Sequence, residues 1–487
     1  MNIGIIGFGI SGANILKNII DHRNFTDDIN IHIFEKRQEL GVGIAYEDDS
    51  NYKLLNSHEK YMTLDLDNPG HIYQWLDENN LKDQKIEGML PRPIFGQYIK
   101  DTYKKYIENE NVHIHKAEVT NIIKEDNSYK IYCNDKFISQ DFSTIFLSIG
   151  QSYYRDSYNL MEYKDYINNP YPLIDKLTFD DIEENSTIGI IGCGPTSVDI
   201  YRFLQRTYKL DKPVYFFTKT NAFLAVEIPN DFDDNICSID NEWIEANKDK
   251  EGFVSLEKII KTIEDDFGKF GFSLLDTYDL YKDTSMEKYE KAIKENDQAL
   301  GFCQHYAMIL WNHAAKLYNS LSGLDKKKVD EEYLDKIDFL ITKTPYQTMK
   351  KLIDDYKSDK LKIIRDTSEI NYLDKEFLVK DESGQEIKVD KIINAQGFEK
   401  NLDNAIENDT LLRNLYKHKF IEKDLGDKFI RVTYPSYNLI NKKYGIMNDI
   451  YLTGMWAGAT DILNNDLRSI LRSSQLVAND FMDKLSK

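Results

Sequence analysis

The sequence predicts an α/β fold: two parallel-sheet units, the second interrupted by a long helical insertion. Three observations predict it. Gly7-Phe8-Gly9-Ile10-Ser11-Gly12 directly follows the apolar run Asn2-Ile3-Gly4-Ile5-Ile6. A second turn, Gly192-Cys193-Gly194-Pro195-Thr196-Ser197, follows Thr187-Ile188-Gly189-Ile190-Ile191. Over residues 242–357 the apolar period is helical, and the stretch is too long for an ordinary loop.

The first turn is a GxGxxG in its proper setting. A strand precedes it and a helical pattern follows. The next apolar run, Ile29-Asn30-Ile31-His32-Ile33-Phe34, ends in Glu35, 23 positions past Gly12. The glycines allow a tight turn and let the backbone approach a pyrophosphate at the helix N-terminus. Glu35 is placed to accept hydrogen bonds from a ribose. The dinucleotide-binding set read here is Gly7, Gly9, Ser11, Gly12, Glu35 and Lys36.

Residues 52–107 read as helix and loop, and residues 112–138 alternate like strands. Ser143-Thr144-Ile145-Phe146-Leu147-Ser148-Ile149-Gly150 is an apolar strand ending in glycine, a pattern suited to the adenosine end of a dinucleotide site. Residues 151–182 carry Asn169-Pro170-Tyr171-Pro172 and read as the crossing between units. In the second turn Ser197 stands in the third glycine position, where a small side chain still permits close helix–strand packing. The following strand, Val214-Tyr215-Phe216-Phe217, ends in Thr218-Lys219 with no carboxylate. A lysine and a hydroxyl welcome a 2′-phosphate that a carboxylate would repel. The first site therefore reads as FAD or NAD and the second as NADPH. The second set is Gly192, Gly194, Thr196, Ser197, Thr218 and Lys219.

Lys391-Ile392-Ile393-Asn394-Ala395-Gln396-Gly397 repeats the strand-to-glycine pattern, and Ile450-Tyr451-Leu452-Thr453-Gly454 is the last strand and turn before a terminal helix. Gly150, Gly397 and Gly454 join the cofactor-binding set. Two Rossmann-like dinucleotide-binding domains follow. The first, for FAD, spans residues 1–175 plus 380–487. The second, for NADPH, spans 183–379 and includes the insertion at about 240–357.

Composition narrows the partners. The chain has 487 residues, enough for two or three domains. Its net charge of −20 disfavours nucleic acid and anionic membranes. No apolar run approaches a membrane span, and the N-terminus lacks a basic leader, so a cytoplasmic protein is expected. Cys133, Cys193, Cys237 and Cys303 form no CxxC pair, which argues against a dithiol reductase. His305 and His313 lack further ligands at metal-binding spacing, so no metal is expected.

Further segments carry a family resemblance. Gly41-Val42-Gly43-Ile44-Ala45-Tyr46 reads GxGxAY, and Leu55-Asn56 with Met62 reads LNxxxxxM. Pro69 with Trp75-Leu76 reads PxxxxxWL, Arg92 to Tyr98 reads RxxFGxY, and Gly192 to Asp199 reads GxGxTxxD. Together these resemble the bacterial FAD/NAD(P)-binding proteins. The chain is similar, more distantly, to flavin-containing and amine N-hydroxylating monooxygenases. The resemblance implies FAD at Gly7, Gly9, Gly12 and Glu35. It brings Gly43, Ala45, Asn56 and Met62 toward the flavin, with Arg92 and Tyr98 at the cleft. The chain departs at Thr453-Gly454-Met455, where that family has a Gly-Asp turn; Asp461 is the nearby carboxylate.

Three functions stay open on these residues. One is an NADPH-dependent FAD monooxygenase acting on a small amine or related metabolite. Another is a flavin reductase or dehydrogenase without oxygen insertion. The third is a non-catalytic dinucleotide-binding redox sensor. Flavin chemistry needs few catalytic side chains, and none is nominated.

Overall fold

The computed structural model describes residues 1–486 except 135, 139, 179–181, 220–222, 283–284, 425, 459 and 461–465, and leaves the side chains of residues 335 and 340 undescribed. Asp461 of the sequence reading lies outside the described residues.

Two parallel sheets organise the chain. The first runs in the order Asn438–Asn441, Gly445–Leu452, Thr144–Leu147, Asn2–Ile6, Asn30–Phe34, Val112–His115. Only its Asn438–Asn441 and Gly445–Leu452 strands pair antiparallel. The central strand is buried on both faces, which is why Ile3, Ile5 and Ile6 are apolar without alternation. Helix Ile10–Ile20 leaves that strand through the glycine turn and packs on the terminal helix Leu467–Leu485.

The second sheet runs Leu361–Ile364, Val214–Phe217, Ile188–Ile191, Lys391–Asn394, Tyr166–Ile167, all parallel. A three-stranded antiparallel ribbon precedes the equivalent strand in each unit. Val119–Glu125, Ser128–Cys133 and Lys136–Phe137 come before Thr144–Leu147. Thr367–Leu373, Glu376–Asp381 and Glu386–Val389 come before Lys391–Asn394. The two units thus share a core order, and the first adds the edge strand Asn438–Asn441.

Strand pairing corrects one expected boundary. Residues 380–395 were assigned to the first unit, yet Lys391–Asn394 pairs with Ile188–Ile191, and Ile393 and Ala395 belong to the second unit's core. Tyr166–Ile167 likewise joins the second sheet. From Leu402 onward the buried side chains rejoin the first core. The insertion is the crossover between Val214–Phe217 and Leu361–Ile364, strands that pair directly. It is helical as expected, from Asn241–Ala246 to Tyr346–Lys357, with apolar clusters of its own.

Candidate cofactor cleft

A cleft of about 760 Å³ opens at the carboxyl ends of the first sheet, the usual ligand position in such folds. The glycine turn forms its floor. Gly7 has φ +84°, and a Cβ there would stand 2.2 Å from the Ser148 carbonyl oxygen, so only glycine fits. A Cβ on Gly12 would meet the Gly7 carbonyl at 2.4 Å; Gly12 supports the turn from beneath rather than facing the cleft. Gly9 begins helix Ile10–Ile20 with no side-chain cap, leaving the first helical N–H groups for a ligand anion. Gly9 and Gly43 face each other closely enough that a Cβ on either would lie about 3.5 Å from the other's Cα. The two backbones make a narrow cradle.

Glu35 sits at one wall, buried. Phe8 N–H donates to its Oε2 and Arg37 N–H to its Oε1, each at 2.8 Å. The carboxylate therefore locks the glycine turn to the second strand, and its remaining lone pairs serve the cleft. Lys36 lines the same wall and pairs with Glu118 at 2.6 Å. Gly43, Ala45, Asn56, Met62, Arg92, Gly150 and Gly454 line the cleft as well, so most of the first set comes together.

The last strand contributes differently from the expected Gly-Asp turn. The Thr453 hydroxyl lies 2.7 Å from Ser11 Oγ and 3.1 Å from Ser148 Oγ, and Ser474 Oγ closes the cluster 3.1 Å from Ser11. These hydroxyls stitch two strand ends and two helices together under the cleft. The carboxylate that does reach the wall is Asp466, which caps helix Leu467–Leu485 through Ser469 N–H and accepts from the Trp311 indole N–H at 3.3 Å. The sequence signal for it was an acidic N-cap before the terminal helix. Asp409 is a second missed wall residue of the same kind, capping Thr410–Lys417.

Of the polar ties that cross from the first unit to the second, two stand at the far end of the cleft. Asp199 of the GxGxTxxD motif is buried. Its Oδ1 accepts from Leu54 N–H and Arg202, and its Oδ2 accepts from Tyr171 and lies 3.5 Å from Arg92. Arg92 also donates to the Leu54 carbonyl at 2.7 Å and to Asn56 Oδ1 at 3.3 Å. That leaves the Asn56 amide N–H groups as its donors toward the cleft. Behind this wall Lys53 is fully buried, 3.4 Å from Asp49 and over the Tyr171 ring. Burial and then the Arg92 charge push its ammonium below the ordinary value, against the pull of Asp49 and Asp199. In the second tie, His58 and Lys343 flank Glu227 at 3.5 and 2.8 Å. Burial works against the charge of Glu227, yet these two partners outweigh it and hold the carboxyl at about 2.

Tyr98 corrects an expectation. It is fully buried beneath the cleft, taking Leu64 N–H at 3.1 Å and meeting His71 Nδ1 at 2.7 Å. Burial pushes its hydroxyl up to about 12. Gly397 is the other correction. It follows Lys391–Asn394 in the second sheet, and a Cβ on Gly192 would lie 2.7 Å from the Ala395 carbonyl, just as Gly7 meets Ser148. Gly397 is the second unit's counterpart of Gly150.

In the second unit Gly192 has φ +111°, and Gly194 begins helix Pro195–Thr207 without a side-chain cap. Ser197 is buried and donates to the Gly194 carbonyl at 2.7 Å, while Thr196 follows Pro195 in the first helical turn. Thr218 is held by backbone bonds to Ile364 and Thr367, and the Lys219 ammonium stands 5.2 Å from the Tyr158 ring centre. Arg365 follows the neighbouring strand Leu361–Ile364, and its charge acts on the Cys193 thiol. Burial dominates there and pushes that thiol up to about 12. Arg365 was missed; its signal was a cation at a strand end beside Val214–Phe217. Cys133 and Cys303 are buried, and all four cysteines are free thiols.

Among the described residues no helix is long and apolar enough to cross a membrane. No curated protein matches this chain. Solved structures share its fold over nearly the whole length. The FAD-bound cadaverine monooxygenase of Erwinia amylovora is 11% identical with a TM-score of 0.60, covering 98% of this chain and 93% of that one. The ornithine N-hydroxylase of Kutzneria sp. 744, solved with reduced FAD, NADP+ and L-ornithine, is 13% identical with a TM-score of 0.58, covering 100% and 99%. The bacillithiol disulfide reductase of Staphylococcus aureus is 8% identical with a TM-score of 0.52, covering 99% and 98%. The chain thus has the fold of two-dinucleotide flavoproteins, and its residues 4–152 match the FAD-NAD(P)-binding family.

Proposed function

We propose that this protein is an FAD-dependent, NADPH-using monooxygenase acting on the nitrogen of a small amine. The observation that carries the reading is the first-unit cleft: an uncapped helix N-terminus, a two-glycine cradle and Glu35 around a space of dinucleotide size. The residues present fit FAD. The N–H groups after Gly9 would take the pyrophosphate, Glu35 the ribose, and Asn56, Met62 and Arg92 the ring end. When bound, FAD supplies hydride acceptance and the activation of O₂. Thr218, Lys219 and Arg365 would hold the 2′-phosphate of NADPH on the second unit. The fold supports the amine class, because the cadaverine and ornithine hydroxylases share it end to end. It supports the class only by analogy, since a disulfide reductase shares it too. The free, separated cysteines weigh against that second chemistry.

The chain's own tasks are positioning and water exclusion. The Asp199–Arg92 and His58–Glu227 ties fix the ring end of the cleft against the second unit. The reading includes a small-molecule substrate and a cytoplasmic location. The test is NADPH consumption by the FAD-loaded protein across a panel of diamines and amino acids, with products weighed by mass spectrometry. A substrate gaining one oxygen atom, in proportion to NADPH consumed, is expected. NADPH consumption with every amine recovered unchanged would move the protein to the reductase class. An FAD-loaded protein that consumes no NADPH would point to the sensor.

A further inference from the structure

The helical insertion forms a partly open apolar cavity of about 220 Å³, separate from the cofactor cleft. Its walls come from helices Leu256–Lys269, Leu274–Tyr281, Gln298–Leu310 and Leu334–Ile341, with Ile259, Ile263, Ala307 and Leu310 turned inward. Among the described residues only two that line it are charged. Glu264 is exposed, and the Lys336 ammonium donates to the Glu332 carbonyl and stands 4.9 Å from the Tyr333 ring centre.

Three of the wall's aromatic residues spend their polar handles outside the space. Tyr306 donates to Asp266 at 2.9 Å, Tyr318 to Asp330 at 3.0 Å, and the Trp311 indole to Asp466 at 3.3 Å. A water molecule needs two or more polar partners, and the surface of this space is almost wholly apolar. A charged ligand would lose its hydration without replacement. Interiors are otherwise packed like organic crystals, and an apolar recess this size leaves its lining in contact with water unless an apolar group fills it. An apolar cavity of about 150 Å³ is large enough to take a benzene ring. Leu275, which lines the wall and is half exposed, marks the way in.

We infer that this cavity is a binding site for an uncharged apolar group: a hydrocarbon chain of about six carbons or a small substituted ring. The site is independent of the proposed redox function. It touches the cofactor cleft at one point, Trp311, which lines the cavity with its ring and bonds a cleft wall residue with its N–H.

The experiment is calorimetric titration of the FAD-loaded full chain with 1-hexanol, hexanoate and hexyltrimethylammonium. Saturable one-to-one binding of hexanol below about 1 mM is expected, with both charged analogues at least about tenfold weaker. Ala307→Phe and, nearer the rim, Ile260→Phe fill the space and should each weaken hexanol about tenfold or more while the flavin spectrum is unchanged. Either variant suffices if the other does not fold. Hexanol that fails to saturate, charged analogues that bind as tightly, or a folded filling variant that binds like the parent would overturn the assignment.

Discussion

The two glycine turns have the same topology and different clearances. In the first, Gly12 is forced by a 2.4 Å approach to the Gly7 carbonyl; in the second, Ser197 occupies that place and spends its hydroxyl on Gly194. The charge at the next strand end also differs. Glu35 bonds two backbone N–H groups in the first unit, whereas the corresponding strand ends of the second carry Thr218-Lys219 and Arg365. A duplicated fold therefore keeps its core strand order while its two turns diverge in clearance and in the residues at the next strand end. What joins the units is a buried carboxylate, Asp199, from the second motif, reaching Arg92 and Leu54 of the first.

Breaking that joint should have the largest effect. Asp199→Ala leaves Arg92 and Arg202 buried without this carboxylate, and a loss of about 3–5 kcal/mol is expected in urea unfolding. A loss below about 1 kcal/mol would mean that the units do not depend on it.

The glycine contrast comes next. Gly7→Ala should cost about 3 kcal/mol and empty the flavin site, because both φ and the Ser148 carbonyl oppose it. Gly194→Ala, with no atom within 4 Å and an ordinary negative φ, should change stability by less than about 1 kcal/mol. Equal effects would refute the difference in clearance.

The His58–Glu227 tie should appear in acid. The folded carboxyl is held at about 2, below its ordinary value of 4.5, so the unfolded chain binds the proton more readily. The stabilisation is full above pH 4.5 and is lost as pH falls toward 2. It amounts to about 2–3 kcal/mol. Glu227→Gln should flatten that part of the stability–pH curve; an unchanged slope would assign it to other carboxylates.

Glu35→Gln is the mildest of these changes. The amide keeps one acceptor, leaves one of the two backbone N–H groups unpaired and loses the charge, so FAD affinity should fall about tenfold, with about 1–2 kcal/mol lost in stability. Equilibrium dialysis reads this, and unchanged affinity would remove Glu35 from the site.

Local chemistry explains what the sequence could reveal. The strand–glycine–helix turns are written in contiguous residues, so Gly7, Gly9, Glu35, Gly192 and Gly194 were legible. The helical insertion was legible from its period. Strand partnership is not a local property. Lys391–Asn394 looks like Thr144–Leu147, and nothing nearby in sequence says that it pairs with Ile188–Ile191. That is why Gly397 was assigned to the wrong unit. Tyr98 carries a motif position but faces His71 and Leu64, since a helix turns each side chain by its own angle. Asp409, Asp466 and Arg365 reach their sites from distant segments and were visible only as helix caps or a strand-end cation.

The central claim is that the first turn holds FAD and the second serves NADPH. The most direct measurement is anaerobic reduction of the FAD-loaded protein, followed in the visible spectrum with NADPH and then NADH, in the parent and in Lys219→Glu. Stoichiometric flavin, faster bleaching by NADPH, and loss of that preference in the variant are the predicted results. A reconstituted protein that retains no flavin, or one that NADH reduces faster than NADPH, would contradict the account.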